Sequence, residues 1–280
     1  MKKLLITDLD NTLYDWVSFY AQSFTSLLNE LSIILGVDKE ILIKEFKQVH
    51  KFHGNSEYPF GALELPSVIS KFKSNDKVFL SKKVDSAFHA FNSTRNKTLT
   101  CYSNVLSTLQ EISSSGIVIV GHTEAPVRNA LFRLEKLGLL KYFKHLYTPH
   151  DRYHDDLNDK TKQWLSSYGD FLILLNEKQK KPNPELLIDI CSSEGVEKED
   201  AVYIGDSIVK DIAMANLAGI DSVWAEYGKQ HSQKYWDVLV SITHWTEEDV
   251  ARETRLKVEL GKQKPTYTIS SFDELKDILF

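Results

Sequence analysis

Cysteine is scarce in this sequence, with only two in 280 residues. Cys101 and Cys191 lie far apart and lack the spacing of a zinc site, so we expect reduced thiols in a cytoplasmic protein. Long apolar runs are also lacking, and no stretch has the length that a membrane span needs. The apolar start at residues 1–6 is interrupted by carboxylates before it reaches the length of a signal peptide. We therefore expect no membrane partner.

Clusters of basic residues are missing as well. The chain has 34 Lys and Arg against 39 Asp and Glu, a formal net charge of -5. This balance gives no electrostatic footprint for nucleic acid, so we expect no nucleic-acid partner. With 42% hydrophobic and 26% charged residues, the composition is that of a globular chain with one large domain, or a core and a smaller unit.

The apolar run at residues 4–7 ends in two carboxylates, Asp8 and Asp10. The run is typical of a buried strand, and both side chains would project to the same side if the strand continued. Two like charges so placed repel each other unless a cation lies between them. Oxygen ligands without a nearby His or Cys favour Mg²⁺. The alternative is an Asp-rich turn in which residues 10–12 cap a following helix.

The middle of the chain changes character twice. Between residues 14 and 95 the apolar residues recur at helical spacing, which predicts a helical insert whose aromatic side chains form its core. From residue 103 onwards, helical patterns alternate with short apolar runs, the rhythm of an α/β parallel sheet. The segment 171–175 fits either a strand or a short buried helix. Further strands are predicted at 117–120, 143–147, 201–205, 221–225 and 266–269.

Four more polar residues stand at positions where strands or turns end. Thr123 follows a β-branched run, and the carboxyl ends of parallel strands form the ligand crevice, so we expect Thr123 near Asp8. Lys181 precedes two prolines that fix its backbone, although a surface lysine at a helix start is the alternative. Asp206 ends another apolar run, and Asp211 follows about one turn later.

Two segments that contain histidine admit more than one interpretation. His122, at a strand end, suits a site residue, but a histidine there is more often packed or exposed to solvent. The segment 150–156 has the residue types of a metal site. Its candidate ligands are mixed with basic residues on a polar stretch, which favours a solvated loop.

Four sets of residues, taken in order along the chain, resemble the four motifs of the haloacid dehalogenase-like (HAD) hydrolase superfamily. They are Asp8-Leu9-Asp10-Asn11-Thr12, Thr123, Lys181, and Gly205-Asp206-Ser207 with Asp211. The helical insert resembles the C1-type cap of the phosphatase branch. The resemblance implies an α/β fold, a doubly wound and mainly parallel Rossmann-like sheet with a helical cap domain. The implied core is 1–14 and 98–280, with insertions near 150–178 and 227–264, and the implied cap is 15–97.

The resemblance also implies an enzyme that transfers a phosphoryl group through an aspartyl-phosphate. An acid at position 10 favours phosphatases over dehalogenases, because an alkoxide leaving group needs a proton and a halide does not. In the implied roles, Asp8 is the nucleophile, Asp10 the general acid and base, Thr123 a hydrogen-bond donor to the phosphoryl group and Lys181 its neutralising cation. Mg²⁺ would be held by Asp8, the Asp10 carbonyl and Asp206, with support from Asp211.

These expectations favour a Mg²⁺-dependent phosphatase that hydrolyses a small phosphorylated metabolite. Sugar phosphates, phosphoglycolate-like acids and nucleoside monophosphates are all compatible with the sequence. The alternatives are a phosphomutase or a phosphonatase-like enzyme of the same fold, or a non-catalytic binding protein that has kept it. The substrate and the oligomeric state are not specified by any motif.

Overall fold

The computed structural model describes residues 1–150 and 157–280. The chain divides into two compact units, and each is described by itself below. The core unit comprises Met1–Asp15, Thr100–Gln230 and Leu256–Phe280, and the helical unit comprises Trp16–Leu99 and His231–Arg255. The sequence-based division had assigned residues 227–264 to the core. The metal interpretation of residues 150–156 falls, except for His150, outside the described residues.

The core unit is built on one sheet, whose described strands are β1 Leu4–Thr7, β2 Val118–His122, β3 His145–Pro149, β4 Leu172–Leu175, β5 Ala201–Gly205, β6 Asp221–Ala225 and β7 Tyr267–Ile269. Neighbouring strands are parallel throughout, in the order β4-β3-β2-β1-β5-β6-β7. The order progresses outward from β1 in both directions, so right-handed crossovers place the connecting helices on opposite faces. This arrangement confirms the predicted doubly wound α/β fold.

Helices connect the strands of the core and make up the helical unit. In the part of the chain that the structure describes, no helix is both long enough and apolar enough to cross a membrane. The α-helices are α1 Trp16–Leu35, α2 Lys39–His53, α3 Pro66–Phe72, α4 Lys77–Lys83, α5 Asp85–Thr98, α6 Val105–Ser114, α7 Val127–Lys136, α8 Asp159–Ser166, α9 Pro184–Glu194, α10 Ala213–Ala218, α11 Gln233–Ser241, α12 Glu247–Leu260 and α13 Leu275–Leu279.

Strand β1 lies at the centre of the core unit, hydrogen-bonded to β2 on one side and β5 on the other. All four of its residues are buried, which explains why the segment is apolar without alternation. The side chains of Leu4 and Ile6 pack with residues of β2, β5, α9 and α10 in one apolar cluster. Any group that follows β1 therefore emerges from the centre of the sheet.

The structure moves the start of one predicted strand and decides two segments that the sequence left open. The strand predicted near 143–147 begins at His145, because Leu140–Tyr142 forms a short 3₁₀ turn before it. The ambiguous segment 171–175 is strand β4, which pairs with β3. Much of the polar stretch 227–264 is helical and forms α11 and α12.

The helical unit is organised around α1, against which α5 and α11 pack. Several of its aromatic side chains are inside, as the sequence predicts, although Phe52 and Phe79 are exposed. The Phe24 and Phe46 rings lie 4.8 Å apart, edge to face. His50 packs against both rings and donates from Nδ1 to the Ile242 carbonyl at 2.7 Å. Burial lowers the pKa of His50 from 6.5 to about 4, so this imidazole is neutral in the folded protein at pH 7.

The buried His50 predicts a specific pH dependence of stability. Between pH 6.5 and 4 the unfolded chain binds a proton that the folded chain excludes, so stability is complete above pH 6.5 and falls as the pH drops toward 4. The shift corresponds to about 3 kcal/mol of unfolding free energy. Urea unfolding at pH 7 and pH 4.5 should show this loss in the wild type. His50→Gln should lose much of the slope, whereas His89→Gln, at an exposed position, should keep it.

Candidate active site

The loop after β1 brings two carboxylates out of the sheet in different ways. The Asp8 amide donates to the Ile204 carbonyl at 2.9 Å, so pairing with β5 continues for one residue beyond β1. The chain then turns: Leu13 N donates to the Leu9 carbonyl at 2.8 Å, and Asn11 adopts a left-handed conformation with φ 58°. The strand therefore does not persist to Asp10, and strand alternation does not set the direction of that side chain.

Asp8 is buried and has a partner on each carboxylate oxygen. Lys181 Nζ lies 2.5 Å from Oδ1, and Thr12 Oγ1 donates to Oδ2 at 3.0 Å. Burial raises the pKa of the Asp8 carboxyl well above its usual value; the charge of Lys181 opposes this, and nearby carboxylates reinforce it. The chemistry of Asp8 therefore depends on how much positive charge is close to it.

Lys181 supplies that charge from the segment before α9. Asn183 caps the helix by accepting from the Leu186 amide at 3.1 Å, and Pro184 occupies the first helical position. The ammonium is buried, 3% exposed, and it also contacts Asp211 Oδ1 at 2.8 Å. Burial alone would lower the pKa of Lys181, but the charges of Asp211 and Asp8 outweigh burial and raise it. Lys181 is thus a buried, charged bridge and not a surface lysine.

Asp211 reaches the site because the chain folds back after β5. Ile208–Ile212 forms a π-helical turn that leads into α10. A Cβ on Gly205 would lie 2.4 Å from Asp211 Cγ, so only glycine permits this close approach. Ser207 N donates to Asp211 Oδ2 at 3.0 Å, and Tyr203 OH donates to Oδ1 at 3.1 Å. These bonds orient Asp211 toward Lys181.

Asp206 completes a cluster of three carboxylates. One oxygen from each of Asp8, Asp206 and Asp211 lies within 4.8 Å of the others. A purely oxygen donor set suits a hard divalent cation such as Mg²⁺, and one lysine does not neutralise three carboxylates. Lys229 Nζ lies 3.1 Å from Asp206 Oδ2 but is half exposed. The residues present therefore fit a cation site.

Thr123 leaves the sheet at the same edge as Asp8. The register pairs Thr7 with Gly121, so Thr123 follows β2 at the level of the loop that follows β1. Its amide donates to the Tyr147 carbonyl at 3.0 Å, and its Oγ1 accepts from Ala125 N at 3.0 Å. A hydroxyl that accepts a bond in this way still has its own proton to donate. This arrangement suits a donor to an anionic substrate.

His122 is packed in the sheet beside this edge. It is 1% exposed, and its Nδ1 lies 3.4 Å from Tyr203 OH. Burial, followed by the charge of Lys181, lowers the pKa of His122 well below its usual value. A buried neutral imidazole behind the acidic cluster favours the packed alternative that the sequence left open.

The sequence interpretation missed several contacts of the site. Arg133 Nη1 donates to both oxygens of Asp10, at 2.9 and 3.0 Å. Tyr227 OH donates to the Thr12 carbonyl at 2.8 Å. Gly228 approaches Asn11 so closely that a Cβ at position 228 would lie 2.1 Å from the Asn11 backbone carbonyl oxygen. One signal for Arg133 was available: it borders the apolar stripe of α7, where a buried arginine needs a partner.

The buried bridge predicts a large effect of removing the Lys181 charge. Lys181→Met leaves Asp8 and Asp211 uncompensated, and breaking a buried pair in this way costs roughly 3–5 kcal/mol of unfolding free energy. Lys180→Met, at the exposed neighbouring position, should change it by less than about 0.5 kcal/mol. Urea unfolding at pH 7 in metal-free buffer checks both values. Equal losses in the two variants would contradict the bridge.

Two family models match the chain: one described as haloacid dehalogenase-like hydrolase over residues 2–219, and one described as HAD-hydrolase-like over residues 179–275. The chain is 24% identical over 234 residues to the glyceraldehyde 3-phosphate phosphatase of Methanopyrus kandleri, covering 82% of this chain and 86% of that protein. It is 25% identical over 237 residues to the phosphoglycolate phosphatase of Psychrobacter arcticus, with 83% and 86% covered.

The fold also matches solved structures. The crystal structure of the 2-haloacid dehalogenase from Pseudomonas syringae pv. tomato superposes with a TM-score of 0.56 at 18% identity, covering 100% of this chain and 98% of that one. At this identity the likeness concerns the fold. The family model, in contrast, spans most of the chain and includes each motif residue from Asp8 to Asp211. The chain therefore belongs to the haloacid dehalogenase-like hydrolase family.

Proposed function

We propose that this protein is a phosphatase that hydrolyses a small phosphorylated metabolite. The observation that carries the proposal is the buried Asp8 carboxylate with one oxygen on Lys181, followed two residues later by a second carboxylate, Asp10, that is partly exposed. A nucleophile for phosphorus and an acid for the leaving alkoxide are the two groups that such hydrolysis requires. The names of the two relatives, both phosphatases of small metabolites, support the same class of substrate.

The proposed reaction has two steps. Asp8 attacks phosphorus, the bond from phosphorus to the leaving oxygen breaks, and Asp10 gives that oxygen its proton. In the second step Asp10 takes a proton from water, the water oxygen attacks phosphorus, and the bond to Asp8 breaks to release inorganic phosphate. Lys181 offsets the charge shared by Asp8 and the phosphoryl group, and Thr123 donates to a phosphoryl oxygen.

We also propose that the acidic cluster binds Mg²⁺. Asp8, Asp206 and the Asp10 backbone carbonyl would hold the ion, while Asp211 orients Lys181 and supports the site. When bound, Mg²⁺ would supply positive charge that lets a carboxylate nucleophile and a phosphate dianion approach each other.

The helical unit is proposed to act as the cap that selects the substrate. Its position in the sequence directly after the Asp8–Asp15 loop supports this role, since the chain enters it at Trp16. The segment 231–255 groups with the same unit, so we include it in the proposed cap.

The proposed metal site predicts a strict dependence on a divalent cation. Hydrolysis should stop in EDTA and return with Mg²⁺, because without the ion three carboxylates repel the substrate dianion. Mg²⁺ should also raise the thermal midpoint of the wild type, since it binds the folded state only. Asp206→Asn should strongly reduce both the activity restored by Mg²⁺ and the rise in thermal midpoint that Mg²⁺ causes. Asp189 is an exposed acid on α9, and Asp189→Asn should leave both quantities unchanged. Undiminished hydrolysis in EDTA would count against the metal assignment.

The two carboxylates predict two different mutant phenotypes. Asp8→Asn should abolish turnover and prevent trapping of a phosphoenzyme, because an amide does not replace the nucleophile. Asp10→Asn should lose roughly 10² to 10⁴ in rate on alkyl phosphates, the usual contribution of general acid-base catalysis. Aryl phosphates should suffer less in the first step, and phosphoenzyme should accumulate because water lacks its base. Rapid-quench trapping measures the amount of phosphoenzyme. Equal rate losses on alkyl and aryl phosphates, without accumulated phosphoenzyme, would show that Asp10 has another role.

A further inference from the structure

We propose that Arg133 is a positioning residue that holds the Asp10 carboxylate in the orientation needed for proton transfer. The inference rests on the proposed function, because Asp10 has this task only if the protein hydrolyses phosphate esters. Arg133 itself transfers no proton, since a guanidinium stays charged throughout the accessible pH range.

The contact is geometrically restrictive. The nitrogen Arg133 Nη1 lies 2.9 Å from Asp10 Oδ1 and 3.0 Å from Oδ2. A donor shared by both oxygens holds the end of the carboxylate beside the guanidinium, so the Asp10 side chain does not swing away from α7 while the ion pair lasts. Asp10 keeps 25% of its side-chain surface exposed, whereas the Arg133 side chain is only 3% exposed.

The backbone does not provide this orientation. Asp10 lies in a turn beyond the end of β1, next to the left-handed Asn11, and its backbone forms an isolated bridge with Tyr14 and does not continue the pairing with β5 that aligns Asp8. A carboxylate on a turn samples several rotamers unless a contact selects one. Arg133 makes that contact from α7, whose sequence directly follows the Thr123 loop.

Stability alone does not explain an arginine at this position. The neighbouring positions Val127, Ala130, Leu131 and Leu134 form the buried face of α7. Apolar side chains at both 10 and 133 would avoid the desolvation cost of two charges, and replacing a whole buried ion pair in this way is often neutral or stabilising. The ion pair with Asp10 accounts for a charged residue at position 133, whereas packing of α7 does not.

The consequence is a dependence on the leaving group. Losing the contact should impair only steps that need the Asp10 proton. An alkyl leaving group needs this proton, whereas an activated aryl oxide needs little protonation. The second-order constant kcat/KM reports the first chemical step and is not affected by later attack of water. The ratio of kcat/KM for an alkyl phosphate to that for 4-nitrophenyl phosphate therefore measures the proposed role.

The test compares Arg133→Gln with the wild type on these two substrates. Arg133→Gln should lose roughly 10- to 100-fold in kcat/KM on the alkyl phosphate, the scale expected for a misplaced catalytic group, and much less on the aryl phosphate. In an Asp10→Asn background the same substitution should cause no further loss on the alkyl phosphate, because Arg133 acts through Asp10. Equal losses on both substrates, or additive losses in the double variant, would overturn the proposal.

Controls separate positioning from folding. Lys136→Gln removes a positive charge at an exposed position of the same helix and should leave the ratio unchanged. Arg133→Lys keeps the charge and should recover much of the wild-type ratio. If Arg133→Gln does not fold, the test uses Arg133→Lys alone and combined with Asp10→Asn. Additive losses of kcat/KM in that double variant would overturn the proposal. A wild type inactive on every phosphate ester would refute the proposed function, and the role of Arg133 with it. An active wild type with an unchanged ratio in the variants would refute the role of Arg133 alone.

Discussion

The balance of charge around Lys181 is the interaction on which the rest of the site depends. One buried ammonium joins Asp8 and Asp211, and Asp206 lies close to both of these carboxylates. In a buried environment such a group of like charges is unstable unless cations and hydrogen bonds compensate it. Lys181 on its rigid turn and the amide and hydroxyl donors to Asp211 provide that compensation only in part. The remaining negative charge fits the divalent cation proposed above, and that cation would offset the repulsion between these carboxylates and an anionic substrate.

Much of the core could be predicted from the sequence because its signals are local. Short apolar runs that end in a polar residue predicted most strands of the sheet, and the parallel topology brings Asp8, Thr123 and Asp206 to one edge. The segment 171–175 stayed ambiguous because an apolar run of five residues suits a strand or a helix equally well. Only pairing with β3, a long-range contact, decides between them.

The supporting contacts of the site were harder to predict, and the reason is physical. Arg133 and Tyr227 reach the Asp8–Thr12 loop from segments more than 100 residues away, as the hydrogen bonds across 123 and 215 positions show. Neither residue belongs to a motif with fixed spacing. The turn after β1 was one of two open alternatives, because alternation along a strand predicts side-chain direction only while the strand lasts. Such contacts follow from packing, which no single sequence window contains.

The segment around Gly228 contacts the loop of the candidate site and then leads into the second stretch of the helical unit. Tyr227 and Gly228 press on the Asp8–Thr12 loop, and three residues after Gly228 the chain passes into the helical unit at His231. The helical unit is therefore assembled from two separate stretches, and α11 from the second stretch packs on α1 from the first. Exchange of this unit between relatives requires two coordinated replacements instead of one. Excision of residues 16–99 alone would leave α11 without α1, the helix on which it packs. The helical unit of this protein is therefore not exchanged by replacing one continuous segment.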